Sequence, residues 1–92
     1  MSNKKEKIAA KKKLLCKAVG EKIKSLRGSK GIILFSYEYE LSSGSLQKIE
    51  KGTRDPQLTT LWRISEALGI PIWQLIKEIQ EELPENFSFY DK

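Results

Sequence analysis

The stretch LSSGSLQKIEKG, residues 41–52, constrains the fold most, because it carries signals that begin and end a short helix. Ser42 is a favourable N-cap, since its hydroxyl can accept a hydrogen bond from a free backbone N–H of the first turn. Leu46 and Ile49 lie three residues apart and share one helix face. Gly52 can take the left-handed conformation that ends a helix. The stretch therefore predicts a short helix with an apolar face and an opposite face of small and polar side chains.

A helix of this kind, fixed by apolar residues below and open above, suits insertion into the major groove of DNA. An ordinary amphipathic surface helix has the same pattern, so both interpretations stay open for this stretch.

Charge is unevenly distributed along the chain. Residues 1–30 carry eleven basic and two acidic residues, a net charge of +9, whereas residues 31–92 carry six basic and ten acidic residues, a net charge of −4. The basic segment favours a polyanionic partner through counterion release, against the alternative of a solvated lysine-rich face.

Composition excludes several classes of protein. A chain of 92 residues, 39% hydrophobic and 32% charged, fits one small globular domain. No apolar run approaches the roughly 18–20 residues of a membrane helix and no signal peptide is indicated, so we expect a cytoplasmic protein without membrane association. With one cysteine and no histidine, no disulfide, metal site or cofactor is predicted. No catalytic residue, enzymatic activity or small-molecule ligand is indicated either.

Helical periodicity covers most of the chain and predicts an all-α fold. Residues 14–27 carry a clear apolar stripe, while the basic extension 1–13 is expected either to continue this helix or to be a disordered arm that orders on phosphate. The segment IILFSYEYE has strand propensity but no partner strand, so we predict a helix there. Asp55 and Pro56 form a favourable helix start. The predicted helices are approximately 14–27, 33–39, 43–51, 56–68 and 71–83, in a domain of residues 14–83 followed by the tail 84–92.

Several side chains allow more than one role. Cys16 is expected to be a small, partly buried residue rather than a redox group. Trp62 and Trp73 follow apolar helix positions and are predicted at the core or its edge. The apolar stripe of the fourth helix is predicted to begin at Leu58, and the buried face of the last helix to be Ile72, Leu75, Ile76 and Ile79. The tail aromatics, Phe87, Phe89 and Tyr90, pack on the domain, form a dimer contact or are disordered.

Three motifs carry a resemblance to a known family. They are VGEKIKSLR at residues 19–27, LSSGSLQKIEKG at residues 41–52 and TRDPQLTTLWRISEALGI at residues 53–70. In the third motif the residues in register with the family's fourth helix are Pro56, Leu58, Leu61, Ile64, Ala67, Leu68, Gly69 and Ile70. With them, residues 18–76 resemble the Cro/C1-type helix-turn-helix family, also called the XRE or lambda-repressor-like family. The resemblance implies a compact five-helix DNA-binding domain, here with a basic N-terminal helical extension. It also implies a transcriptional regulator, a repressor in our prediction, that binds double-stranded DNA sequence-specifically as a homodimer.

The resemblance also assigns roles to individual residues. The third helix, 43–51, becomes the recognition helix. Its implied base contacts are Ser43, Gly44, Gln47 and Lys48, and the implied phosphate contacts are Ser45, Lys51, Thr53 and Arg54. Arg27 and Glu50 are implied to form a structural ion pair. Gln47 and Lys48 can bond to adenine and guanine, each with roughly 1–3 kcal/mol of discrimination.

Two departures from the family pattern lead to an alternative function. The second helix opens with Gly31 and three apolar residues, where the family usually has a Ser/Thr cap and a phosphate-binding glutamine. The turn before the third helix has Glu40 in place of Gly or Asn, so Glu40 either takes the left-handed conformation, at about 1 kcal/mol, or the turn differs. The alternative is a helix-turn-helix module that binds a protein partner through the apolar patch 32–34 and the aromatic tail.

Overall fold

The computed structural model describes residues 3–90, which form five α-helices and contain no strand. The helices are α1 (Lys4–Arg27), α2 (Ile32–Glu38), α3 (Ser43–Glu50), α4 (Leu58–Ala67) and α5 (Ile72–Glu82). The predicted five-helix, all-α fold is confirmed. The segment with strand propensity lies in α2, and α1 continues without a break through the basic extension from Lys4 onward.

One core joins the five helices. α1 packs against α3 and α5, α2 packs against α3, and α4 packs against α5. The buried apolar side chains are Ala18, Val19, Ile23, Phe35, Leu46, Ile49, Leu61, Ile64, Leu75 and Ile79. At Gly20 the backbones of α1 and α3 come so close that an added Cβ would lie 2.3 Å from the carbonyl oxygen of Ile49. Gly20 is therefore required where α1 crosses the end of α3.

The signals in residues 41–52 act as predicted. The Ser42 hydroxyl accepts a hydrogen bond from the backbone N–H of Ser45, at 3.2 Å. Leu46 and Ile49 are almost fully buried. Gly52 has φ +78° and stands two residues beyond the last helical residue. The start, the buried face and the end of α3 therefore follow from its own sequence.

The predicted start of the fourth helix is wrong. α4 begins at Leu58, with Gln57 as an N-cap that makes no side-chain hydrogen bond. Asp55 does not cap this helix, because it stands two residues before the N-cap, and it borders surface depressions against both α1 and the start of α4. The chain from Thr53 to Gln57 is thus a link between α3 and α4 rather than the first turn of a helix.

The predicted burial of several apolar side chains is also wrong. Trp62 and Trp73 are 48% and 65% exposed, and Ile76 is 44% exposed. Each follows a buried or half-buried residue of its helix by one position, a rotation of about 100°, which carries its side chain away from the core. Leu58, 66% exposed, is the first residue of α4 and lies beyond the edge of the core.

The aromatic tail lies partly against the end of α5. Phe87 and Phe89 are half-buried and their rings meet edge to face, with centroids 5.6 Å apart. Phe87 also adjoins Gln80 and Leu83. Tyr90 is 69% exposed. Of the predicted alternatives, packing on the domain therefore describes Phe87, whereas Phe89 contacts the ring of Phe87. The last two residues of the tail lie outside the described residues.

Candidate nucleic-acid interface

The outward face of α3 presents the residues predicted to contact bases. Gln47 and Lys48 are exposed in the second turn, Gly44 is exposed in the first, and Ser43 is half-buried beside it. Nothing crowds Gly44, since an added Cβ would meet only the Ser42 hydroxyl at 3.9 Å. This end of α3 can therefore approach another surface closely, with the two longer polar side chains one turn further along.

The loop after α3 holds the predicted phosphate contacts against the helix. The backbone N–H and the hydroxyl of Thr53 both donate to the carbonyl oxygen of Lys48, at 3.0 and 3.1 Å. The guanidinium of Arg54 donates to the Ser45 hydroxyl at 2.6 Å. Lys51 is exposed. Ser45 thus orients the Arg54 guanidinium, and Thr53 is bonded to the backbone of α3, whereas no such contact holds the exposed Lys51 within the described residues.

An ion pair fixes the other end of α3 to α1. Nε and Nη2 of Arg27 donate to the two carboxylate oxygens of Glu50, each at 2.8 Å. The side chains are only 11% and 6% exposed. The Glu50 carboxylate raises the pKa of Arg27, chiefly through this hydrogen bond. The pair implied by the resemblance is therefore present, and its bidentate geometry limits rotation of α3 relative to α1.

The turn between α2 and α3 contains a contact that sequence reasoning missed. Glu40 has φ +54°, so it takes the left-handed conformation rather than an altered turn. Nη2 of Arg63, on α4, donates to the carbonyl oxygens of Tyr39 and Glu40, at 3.3 and 2.8 Å. The partners are backbone atoms more than 20 residues away, so no pattern of side chains could have indicated Arg63.

α2 presents an apolar rather than a polar outer surface. Ile33, Leu34 and Tyr37 are 73%, 53% and 83% exposed, whereas Phe35 and Ser36 are buried. Gly31, the N-cap, makes no side-chain hydrogen bond. The helix thus lacks the polar start that is usual in the family that the sequence resembles, and the exposed apolar surface defines a second candidate site for a partner.

The loop after α3 also lies against α1. A surface depression there is lined by Ala9, Lys12, Lys13 and Cys16 of α1 and by Gly52, Thr53 and Asp55 of the loop. Partial burial, followed by the charge of Asp55, raises the pKa of the Cys16 thiol. A raised pKa lowers the fraction of thiolate, which agrees with the small, partly buried role predicted for Cys16.

Two further findings concern the whole described chain. Within residues 3–90 no helix is long and apolar enough to cross a membrane. The same residues bring together no group of three metal-ligating side chains from His, Cys, Asp and Glu.

Comparison with known proteins gives one match. A family model for helix-turn-helix domains matches residues 23–72, just over half of the chain. The match spans the end of α1, all of α2, α3 and α4, and the first residue of α5. A search of curated proteins returned no match.

Proposed function

The chain belongs to the Cro/C1-type helix-turn-helix family, whose domains bind DNA and are not enzymes, and from this premise we propose its specific role. The protein is a cytoplasmic, sequence-specific transcriptional repressor that contacts bases in the major groove with α3. It acts as a homodimer on a two-fold site, because one short helix contacts too few base pairs to select a site.

The arrangement of α3 supports this proposal. Leu46 and Ile49 hold one face in the core, and the ion pair of Glu50 holds the C-terminal end. Gln47 and Lys48 therefore project from a helix whose position is fixed, which limits the entropy lost when they bind bases. Arg54, hydrogen-bonded to Ser45, supplies an oriented cation for a phosphate beside the groove.

Selection from a library of random DNA duplexes at two salt concentrations tests the proposal. We expect enrichment of a palindromic site, and we expect Gln47→Ala/Lys48→Ala to abolish the selection while weak, salt-sensitive binding remains. The loss of two base contacts of roughly 1–3 kcal/mol each corresponds to an affinity decrease of at least about 25-fold for each chain bound at the selected site. Sedimentation with the selected duplex should give two chains per site.

A matched variant controls for charge and for side-chain size. Lys77 and Gln80 are exposed on α5, so Lys77→Ala/Gln80→Ala removes the same two side-chain types away from α3. This variant should select the wild-type site with wild-type affinity. Equal losses in both double variants would contradict base contact by α3.

The exposed apolar surface of α2 favours a second candidate function, a module that binds a protein partner. Ile33, Leu34 and Tyr37 form this surface. Apolar residues at this density on one side of a short helix are typical of an interaction site. The same selection distinguishes the two functions. Binding that selects no site and ignores Gln47→Ala/Lys48→Ala would favour the protein partner.

A further inference from the structure

The first turns of α1 extend beyond the core. The buried residues of α1 begin at Ala18, and from Asn3 to Leu14 every residue is exposed except Ile8 and Lys11, which are half-buried. A capping box between Asn3 and Glu6 closes the end of the helix. The segment thus keeps its helical form with little apolar burial of its own.

This exposed segment is strongly basic. Six lysines and one acidic residue lie between residues 4 and 13. Lysines four apart, such as Lys13 and Lys17, repel each other along a helix, by roughly 0.2–0.5 kcal/mol per pair. A bound polyanion would remove this repulsion and release its own counterions. The charge of the segment therefore favours an anionic partner that lies along α1.

The position of the segment indicates which anion. Lys12 and Lys13 line the depression between α1 and the loop that follows α3. Lys5 lies seven and eight residues before them, on the same side of the helix. The next residue of the loop is Arg54, which is anchored to α3 by Ser45. Asp55 is the one acidic side chain that lines the depression, so the two lysines exceed its charge. Cationic side chains thus stand both on the loop after α3 and on the side of α1 that borders this loop.

We propose that this side of α1, formed by Lys5, Lys12 and Lys13, binds the phosphate backbone of DNA beside the site that α3 reads. The inference rests on the proposed function, because it assigns a second contact to the same duplex. From Lys5 to Lys13 the helix rises about 12 Å. One DNA strand carries a phosphate about every 3.4 Å along the axis, so three lysines can each reach a phosphate. The contact adds affinity without reading the sequence.

Two triple variants of the full chain test this proposal. The first, Lys5→Gln/Lys12→Gln/Lys13→Gln, neutralises the side that adjoins the loop. The control, Lys4→Gln/Lys7→Gln/Lys11→Gln, removes the same charge from the other side of the same turns, since these residues lie three and four apart. Glutamine keeps a helix propensity close to that of lysine, and circular dichroism checks that both variants retain wild-type helicity. Affinity for the duplex selected by the wild type is measured from 50 to 200 mM salt.

Salt dependence is the slope of the logarithm of the binding constant against the logarithm of salt concentration. We expect the first variant to lower the magnitude of this slope by about 0.9 for each lost phosphate contact. Over a fourfold change in salt, three contacts correspond, for each chain of the dimer, to an affinity loss in the wild type about 40-fold larger than in the variant. The control should change the slope by less than one contact, and both variants should select the same sequence. Chemical footprinting should show phosphate protection beside the selected site, lost in the first variant only.

Other outcomes overturn the proposal, and they separate it from the proposed function. Equal changes of slope in the two variants would mean diffuse charge rather than a contact on one side of α1. If the wild type selects a site and neither variant changes the salt dependence of binding, the α1 contact is overturned and the proposed function of α3 is unaffected. If the wild type selects no site, but the salt dependence of its DNA binding is lowered only by the first variant, the α1 contact is supported and sequence recognition is contradicted. Tighter binding to duplex RNA than to DNA would assign the lysines to another partner.

Discussion

The two helices that flank the turn, α2 and α3, are nearly equal in length but differ in what holds them. α3 begins at a serine that caps it and ends before a glycine with positive φ. α2 begins at Gly31 without a side-chain cap and ends before Glu40, a non-glycine residue with positive φ. α3 exposes Gln47 and Lys48, whereas α2 exposes apolar residues. Local sequence thus specifies α3, and the surrounding structure specifies α2.

The surroundings of α2 supply what its own sequence lacks. Phe35 is buried in the core and meets the ring of Tyr39 at a centroid distance of 5.2 Å. Arg63 binds the carbonyl groups of the turn, and Lys30 pairs with Glu38 at 2.9 Å. The turn angle between α2 and α3 therefore depends on one long-range contact, that of Arg63, as well as on local ones, although the position of α3 along the chain is set locally.

Removal of Arg27 should give the largest effect and tests whether local signals suffice for α3. We expect Arg27→Met to destabilise the protein by about 3–5 kcal/mol, because it leaves the carboxylate of Glu50 without its cation in a nearly buried position. Denaturant unfolding measures the change in the free energy of unfolding, with the same m-value used for the wild type and the variant. A loss below about 1 kcal/mol would show that α3 is held without this pair.

The double variant Arg27→Met/Glu50→Leu is the control for this prediction. It removes both charges and keeps apolar volume, so most of the lost stability should return. A double variant as unstable as Arg27→Met would indicate that the geometry of the pair, rather than the unpaired charge, is essential.

Removal of the cap of α3 tests the local half of the comparison and should have a smaller effect. Ser42→Ala should destabilise the protein by about 1 kcal/mol, because the N–H of Ser45 loses its acceptor. Ser29→Ala is the matched control, since Ser29 is exposed in the turn after α1 and its hydroxyl makes no hydrogen bond within the described residues. Thermal unfolding of both variants measures the difference. Equal melting temperatures would mean that α3 does not depend on its cap.

The same difference explains how far the sequence predicts the molecule. The N-cap, buried face and C-terminal glycine of α3 act within about ten residues, so they could be recognised directly. The start of α4 could not, because the helix begins at Leu58, three residues after Asp55, without a side-chain cap. The exposure of Trp62 and Trp73 depends on a rotation of one residue around a helix, which composition does not reveal. The role of Arg63 could not be predicted, because Arg63 binds backbone atoms that lie near it only in the folded chain.

The turn itself gives the smallest predicted effect. Glu40 has a left-handed backbone, in which a Cβ costs roughly 1–2 kcal/mol, and its carboxylate has no partner within the described residues. Glycine removes this strain but adds entropy to the unfolded chain, so Glu40→Gly should be more stable than Glu40→Ala by about 0.7 kcal/mol. Alanine is the control because it removes the carboxylate and keeps the Cβ. Denaturant unfolding compares the two variants. If Glu40→Gly were the less stable variant, residue 40 would not have a left-handed backbone in solution. The contacts of Arg63 with the carbonyl groups of Tyr39 and Glu40 would then not define the angle between α2 and α3.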